Sequence, residues 1–199
     1  MKSENFKIVL LTILVFALTS CSPTNDNHSL NNAIVETIDA YQRKDTTEIN
    51  HIIHEKFGLV ILHQPTMFYQ ILVTDSIDSK LSLSYVFQRL RLKKHKIHFE
   101  ELPEFSCNAL WSKPPGIYCD TLSIDTTLSS TAKNDYAGRN WSLQSIRQFE
   151  EIENASYKIV VIGQQDDDLY GGDFFIFHLT LIDKKWYLTL IEKPDFCSA

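Results

Sequence analysis

Three side chains near the C-terminus, His178, Thr180 and Tyr187, form the one polar set on predicted strands that are otherwise apolar. An imidazole beside two hydroxyls has the composition of a general base, which must sit within hydrogen-bond reach of a substrate with a pKa near the working pH. A core histidine satisfied by its neighbours accounts for the same pattern without activity. His51 and His54 lie three residues apart on a predicted helix, as two metal ligands would, but no third ligand completes the set. His54-Glu55 also lacks the second histidine of a zinc-protease helix, so neither a metal nor a cofactor is expected. Asp166-Asp167-Asp168, followed by Tyr170-Gly171-Gly172-Asp173, invites a calcium reading, yet Phe177 stands where an EF-hand loop places its bidentate Glu. A solvated turn is expected there. Arg89 to His98 carries the strongest basic cluster, suited to anionic lipid headgroups or an acidic partner, or to an exposed edge strand whose charge blocks aggregation. There is no Gly-rich phosphate loop, no Gly-x-Ser-x-Gly elbow and no recognisable carboxylate pair, so no catalytic residue is assigned.

Four cysteines, Cys21, Cys107, Cys119 and Cys197, offer thiol chemistry of two kinds. Cys107 and Cys119 flank Trp111-Ser112-Lys113-Pro114-Pro115-Gly116, whose turn residues can reverse the chain and bring the two sulfurs together. They are the expected disulfide. Pairing of either with Cys197 stays open, because sequence does not fix connectivity.

Cys21 closes Leu18-Thr19-Ser20-Cys21 after an uncharged run from Ile8 to Leu18, with Lys2 and Lys7 ahead of it. This arrangement resembles a bacterial lipoprotein signal with its lipobox, a positive n-region and apolar h-region followed by small residues at the cleavage point. The resemblance implies lipid attachment at Cys21, with a diacylglycerol on the thiol, often a further acyl chain such as palmitate on the new amine, and removal of residues 1–20. Two or more acyl chains give a stable anchor. The protein would then sit in the bacterial cell envelope, its membrane partner reached through the lipid, with Ser22 favouring the outer over the inner membrane. An exported chain meets an oxidising compartment, which suits a disulfide.

Removing residues 1–20 from the 199 leaves 179, about one domain. Of 19 basic and 25 acidic residues, taking away Lys2, Lys7 and Glu4 leaves 17 and 24, a formal charge of −7. That balance opposes nucleic-acid binding, which needs cations to replace phosphate counterions. Residues 21–32 are polar and read as a flexible tether, leaving 33–199 as one globular domain.

These groups must be positioned by helices first and strands last. Ile34, Ile38 and Tyr41 share a helical face. Asp45-Thr46-Thr47-Glu48 has the form of a capping box, opening a second helix striped by Ile49, Ile52, Ile53 and Phe57 and ended by Gly58. Leu59 to Leu62 reads as a buried strand. Residues 81–98 suit either a strand or a helix, and Trp141 to Glu153 has helical spacing. Lys158 to Gly163, Phe174 to Ile182 and Trp186 to Glu192 read as an antiparallel meander. Phe174 to Ile182 is apolar on both faces, so its second face needs a cover: a helix, a ligand or a partner chain.

Two helices, the second entered through Arg43-Lys44-Asp45-Thr46-Thr47, then a strand, and a closing hairpin whose last strand begins Asp183-Lys184-Lys185-Trp186-Tyr187, resemble the NTF2-like (cystatin-like) fold. The resemblance implies an α+β cone with N-terminal helices packed on a curved antiparallel sheet. The ending Lys185-Trp186-Tyr187-Leu188-Thr189 with Cys197-Ser198-Ala199 also resembles uncharacterised Bacteroidota lipoproteins. The expected function is that of a non-catalytic ligand- or protein-binding lipoprotein. The alternatives are an NTF2-like small-molecule enzyme with a general base in its pocket, or an inhibitor or immunity-type accessory lipoprotein.

Overall fold

The computed structural model of the chain describes residues 24–65, 68–78, 86–92, 96–107, 110–134, 140–164, 173–194 and Cys197. The proposed signal, Cys21, the Asp166–Gly172 turn, the 81–85 part of the ambiguous segment and Lys93 to His95 of the basic cluster lie outside the described residues. Among the described residues no helix is long and apolar enough to cross a membrane.

Helix α1 (Thr24–Arg43) places Leu30, Ile34, Ile38 and Tyr41 on one buried stripe. The segment read as a tether is therefore helical from Thr24 onward. Leu30 extends the apolar stripe by one turn, and Ser29 Oγ accepts from Trp186 Nε1 at 3.2 Å, so the first turns have something to dock on. Lys44 turns the chain in the left-handed region, φ 54°, and Asp45 caps α2 (Thr46–His51) by accepting from the backbone N–H groups of Thr47 and Glu48. The expected helix to Phe57 stops early: the Ile52 carbonyl accepts from Leu188 N of the last strand at 2.8 Å, which takes it out of a helical ladder. Gly58, at φ +66°, ends the following turn, where an added Cβ would stand 2.7 Å from the Thr74 carbonyl oxygen.

The strands are β1 (Leu59–His63), β2 (Gln70–Thr74), β3 (Ile97–Phe99), β4 (Phe105–Ser106), β5 (Leu110–Trp111), β6 (Gly116–Asp120), β7 (Ser156–Ile162), β8 (Phe174–Ile182) and β9 (Lys185–Lys193), with α3 (Thr127–Lys133) and α4 (Leu143–Asn154) between β6 and β7. Seven form a mostly antiparallel sheet in the order β2-β1-β9-β8-β7-β6-β3, and β4-β5 is a separate small hairpin. Two pairings are parallel, β1 with β9 and β3 with β6. The β8–β9 turn needs positive φ at both central positions to match the strand twist, and Asp183 and Lys184 adopt 48° and 67°. The fold class is α+β, and the expected meander is present as β7 to β9.

Alternation assigns the sheet two unlike faces. On one, Ile61, Ile117, Ile159, Phe175, Phe177 and Ile191 pack under the stripe of α1 in one continuous core. Tyr41 stacks on Phe175 at 3.6 Å, and its hydroxyl donates to the Val86 carbonyl and accepts from Gln88 N. On the other face two small apolar clusters stand apart. One joins Val60, Leu62 and Leu190 to Leu128 of α3 and Phe149 of α4, and the other joins Val160, Ile162 and Ile176 to Trp111 of the hairpin. The second face is thus covered in two pieces by the chain itself, and a gap runs between them.

The cysteine expectation is corrected here. Cys107 is bonded to Cys197, Cα atoms 5.7 Å apart across 90 residues of chain. Cys119 is a free, buried thiol. Residues 116–120 are a strand rather than the return leg of a loop, and alternation turns Cys119 into the α1 core with Ile117 and Ile159, away from the hairpin that carries Cys107.

Candidate functional site

The gap on the second face is a cleft of about 580 Å³. Its floor comes from the meander. Lys158 of β7 lies opposite His178 of β8, and Glu192 of β9 lies opposite Ile176, so the three side chains emerge on one face of adjacent strands. The β8–β9 register passes from His178↔Leu190 to Leu179↔Leu188. Thr189 is the extra residue of this bulge, a device that re-aims side chains beside functional sites. Asp125, in the loop before α3, completes the floor.

Four ionisable groups meet there. Lys158 Nζ is 2.6 Å from Asp125 Oδ2 and 2.9 Å from the Glu192 carboxylate, and His178 Nε2 is 2.5 Å from Glu192 Oε1. Burial opposes charge on each group. For Glu192, burial raises the pKa, but the His178 hydrogen bond, the His178 charge and Lys158 together hold it below the usual carboxylate range. Asp125 is likewise opposed by burial and held well below that range by Lys158 and Thr127. Burial lowers Lys158, and the two carboxylates more than offset it, so its pKa is raised. The set is one ammonium clamped between two carboxylates with an imidazole behind them.

Asp125, His178 and Glu192 also offer three donor atoms within 4.8 Å of one another, the composition of a metal centre. The Lys158 ammonium already satisfies both carboxylates, so the chain supplies the cation that this cluster requires.

The cleft walls differ. Leu102, Phe105 and Trp111 bring an apolar, aromatic wall from the hairpin side, with Trp111 edge-on to Phe105 at 5.2 Å. Tyr69 and the loop Ser123–Thr127 form the opposite side. Charge is one-sided: among the described residues lining the cleft, Glu101, Glu104, Asp120, Asp125 and Glu192 are acidic and only Lys158 is basic.

The predicted polar set does not assemble. His178 is 2% exposed and turned to Glu192, and it is not part of the cleft lining. Thr180 shares a chain of buried hydroxyls, 2.5 Å to Ser156 Oγ and 2.5 Å to Thr189 Oγ1. Tyr187 lies opposite Thr180 in register, but its ring meets His54 at 4.7 Å and the Lys185 ammonium at 4.9 Å. His54 Nδ1 accepts from Lys56 N at 3.1 Å, which gives that histidine a turn-closing role, while His51 is exposed at the end of α2. Within the basic cluster, Arg91 Nε donates to Asp173 Oδ2 at 2.6 Å, a structural clasp between that segment and β8.

Sequence reading missed Lys158, Glu192 and Asp125. The usable signal was a charge embedded in an apolar strand: Lys158 before Ile-Val-Val-Ile and Glu192 after Leu-Ile, each required to find a partner if buried. Nothing local marks Asp125. Comparison with protein-family models, with curated proteins and with solved structures finds no match for this chain.

Proposed function

We propose that this protein is a lipid-anchored envelope protein whose single domain is non-catalytic and binds a small cationic amphiphile, an amine carrying an apolar body, in the cleft between the hairpin and α3. The observation that carries the reading is the lining itself: five carboxylates against one ammonium, which pairs with two of them, on a cleft that also carries Phe105 and Trp111. A concave site lined by one sign of charge focuses its field and concentrates the opposite ion. Aromatic faces add cation–π attraction of about 0.5–2 kcal/mol. The anchor rests on the lipobox ending at Cys21, and the NTF2-like assignment on the order of helices, strand and closing hairpin, with α1 packed on the sheet.

Catalysis is the weaker reading on chemical grounds. A lysine with a raised pKa holds its proton at neutral pH, and carboxylates with lowered pKa are poor acids and weak bases. His178, the earlier candidate base, faces Glu192 rather than the cleft.

Calorimetric titration with arylalkyl amines and with the matching alcohols and carboxylates tests the binding reading. Amines should bind saturably, and more weakly as salt is raised. Glu101→Gln with Glu104→Gln should reduce amine affinity by roughly 3- to 10-fold, the scale of two partly exposed charges. Equal binding of the alcohols, or preference for the carboxylates, would remove the basis of the proposal. For the anchor, Cys21→Ser should abolish the acyl mass and leave unprocessed precursor. A mature N-terminus elsewhere would overturn it.

A further inference from the structure

We infer, on the anchored reading of Cys21, that the end of the domain formed by the β8–β9 turn and the start of α1 is a contact surface for anionic phospholipid headgroups, which holds the cleft away from the bilayer. Exposed Lys184 and Lys185 lie at this end, close to Leu181, which is 41% exposed. Both lysines border a cavity of about 420 Å³ between α1, α2 and the turn, whose polar groups include Ser29, Asn32 and His51. Long lysine stems and an exposed leucine suit an interface in which the ammonium stays among phosphates.

The distance from the anchor is short. Cys21 and Thr24 are three Cα steps apart, at most about 11 Å, and α1 rises about 7.5 Å from Thr24 to Ser29. Ser29 accepts from Trp186, the neighbour of Lys185, so the anchored end of the chain enters the domain beside the turn. From there α1 runs along the hairpin to Tyr41, which stacks on Phe175 near the start of β8. The cleft lies toward that far end: Glu192 is six residues beyond Trp186 on β9, about 20 Å along the strand. Charge orders the two ends. Along the turn and its cavity two lysines stand with two carboxylates, Asp183 and Glu36. The cleft carries five carboxylates against Lys158. An anionic leaflet therefore repels the cleft end and accepts the turn end.

Lysine acetylation by an N-hydroxysuccinimide ester, read at each residue by mass spectrometry, tests the surface. The mature acylated protein is compared in phosphatidylcholine vesicles with and without equimolar phosphatidylglycerol. Anionic lipid should slow acetylation of Lys184 and Lys185 about fivefold, the scale of a lysine drawn to a charged surface. Lys44, exposed at the far end of α1, should change less than about twofold, because the surface potential fades within a Debye length. Lys184→Gln, at an exposed position, should remove most of the protection at Lys185. Equal rates at Lys184 and Lys185 on both vesicles, or equal slowing of Lys44, would overturn the contact surface and leave the anchor standing. Absence of an acyl mass, seen before any vesicle is made, would overturn the anchor and this inference with it. Because no amine enters the readout, the result is independent of binding in the cleft.

Discussion

On the α1 face of the sheet, β7 and β8 present Ile159, Val161, Phe175, Phe177 and Leu179 to one helix, and the packing is unbroken hydrocarbon. One residue along, the same strands turn Lys158 and Ile176 to a cleft between two separate clusters, and bury Ser156, His178 and Thr180 on that same face. The backbone is common to both faces, so the difference lies in what must be satisfied. Hydrocarbon needs only exclusion from water. The buried ions and hydroxyls need specific partners at specific distances, and those partners come from three strands and a loop. A face of the first kind supplies stability, and a face of the second kind is costly unless its charges and dipoles serve something. The cleft is therefore the part of the molecule to interrogate for function.

The largest effect that separates the faces should come from Phe177→Ala, which opens a cavity in the continuous core and should cost about 3–5 kcal/mol in denaturant unfolding. Ile176→Ala, the next position and on the cleft face, removes a contact in a small cluster beside open space that can relax, and should cost about 2 kcal/mol. Equal costs would show that the two faces are packed alike. Glu192→Ala leaves His178 buried without its carboxylate and Lys158 with Asp125 alone, and should cost about 3 kcal/mol. Lys158→Met with Glu192→Met and Asp125→Asn should recover most of that loss, because it removes the ammonium together with both carboxylates that pair with it. If the triple variant is less stable than Glu192→Ala, the ion set is a net source of stability and the contrast drawn between the faces fails.

The faces also differ in how far the chain discloses them. The core face was legible: Ile34, Ile38 and Tyr41 at helical spacing and Phe175, Phe177 and Leu179 at strand spacing are local periodicities, and local periodicity is what a single sequence carries. The extent of β8 and the existence of a second apolar face that needs a cover follow from the same pattern. The cleft was not legible, because Asp125, Lys158 and Glu192 meet only through the pairing of β7, β8 and β9 and a loop fixed elsewhere. Two local signals misled. The Pro-Pro-Gly turn favoured Cys119 as the partner of Cys107, but the strand that follows turns Cys119 inward by alternation. The polar composition of 24–32 favoured a tether, although Leu30 suffices to extend the buried stripe of α1.

A smaller effect follows from the charges, and its sign is fixed by their directions. Asp125 and Glu192 have native pKa values below the ordinary carboxylate range, so their contribution is complete above about pH 4–5 and is lost as pH falls through the native values. Lys158 is raised, so its contribution is complete below about pH 10 and is lost as pH rises through its native value. Asp125→Asn keeps an oxygen for Thr127 N but loses the charge that faces Lys158. At pH 7 it should cost about 1 kcal/mol, since the pair is partly open to water. The gap between wild type and variant should close as pH falls below 4, in urea unfolding measured across pH 2 to 8. A gap that widens in acid would mean that Asp125 is strained rather than stabilised by its lysine. Phe177→Ala, which involves no ionisable group, should show the same cost at every pH in that range.

The smallest effect is expected at the rim. Leu122 is 93% exposed, in the loop between β6 and α3 that borders the cleft, and Ile124 beside it lines the cleft while half exposed. A fully exposed leucine contributes almost no burial, so Leu122→Ser should change unfolding stability by less than about 0.5 kcal/mol. The backbone there is fixed without it, because Asp120 Oδ1 accepts from Leu122 N at 2.8 Å and from Ser123 N at 3.2 Å. A serine retains the same N–H, so the turn and the position of Asp125 beyond it should be unaffected. If the rim meets the apolar body of a bound amine, the same substitution should weaken amine binding about 2- to 5-fold while leaving the urea midpoint unchanged, the loss of a partly buried side chain. Such a split would place Leu122 on the functional side of the comparison. Loss of stability instead would mean that Leu122 is covered in solution and that the cleft face is more completely packed than its two separate clusters imply.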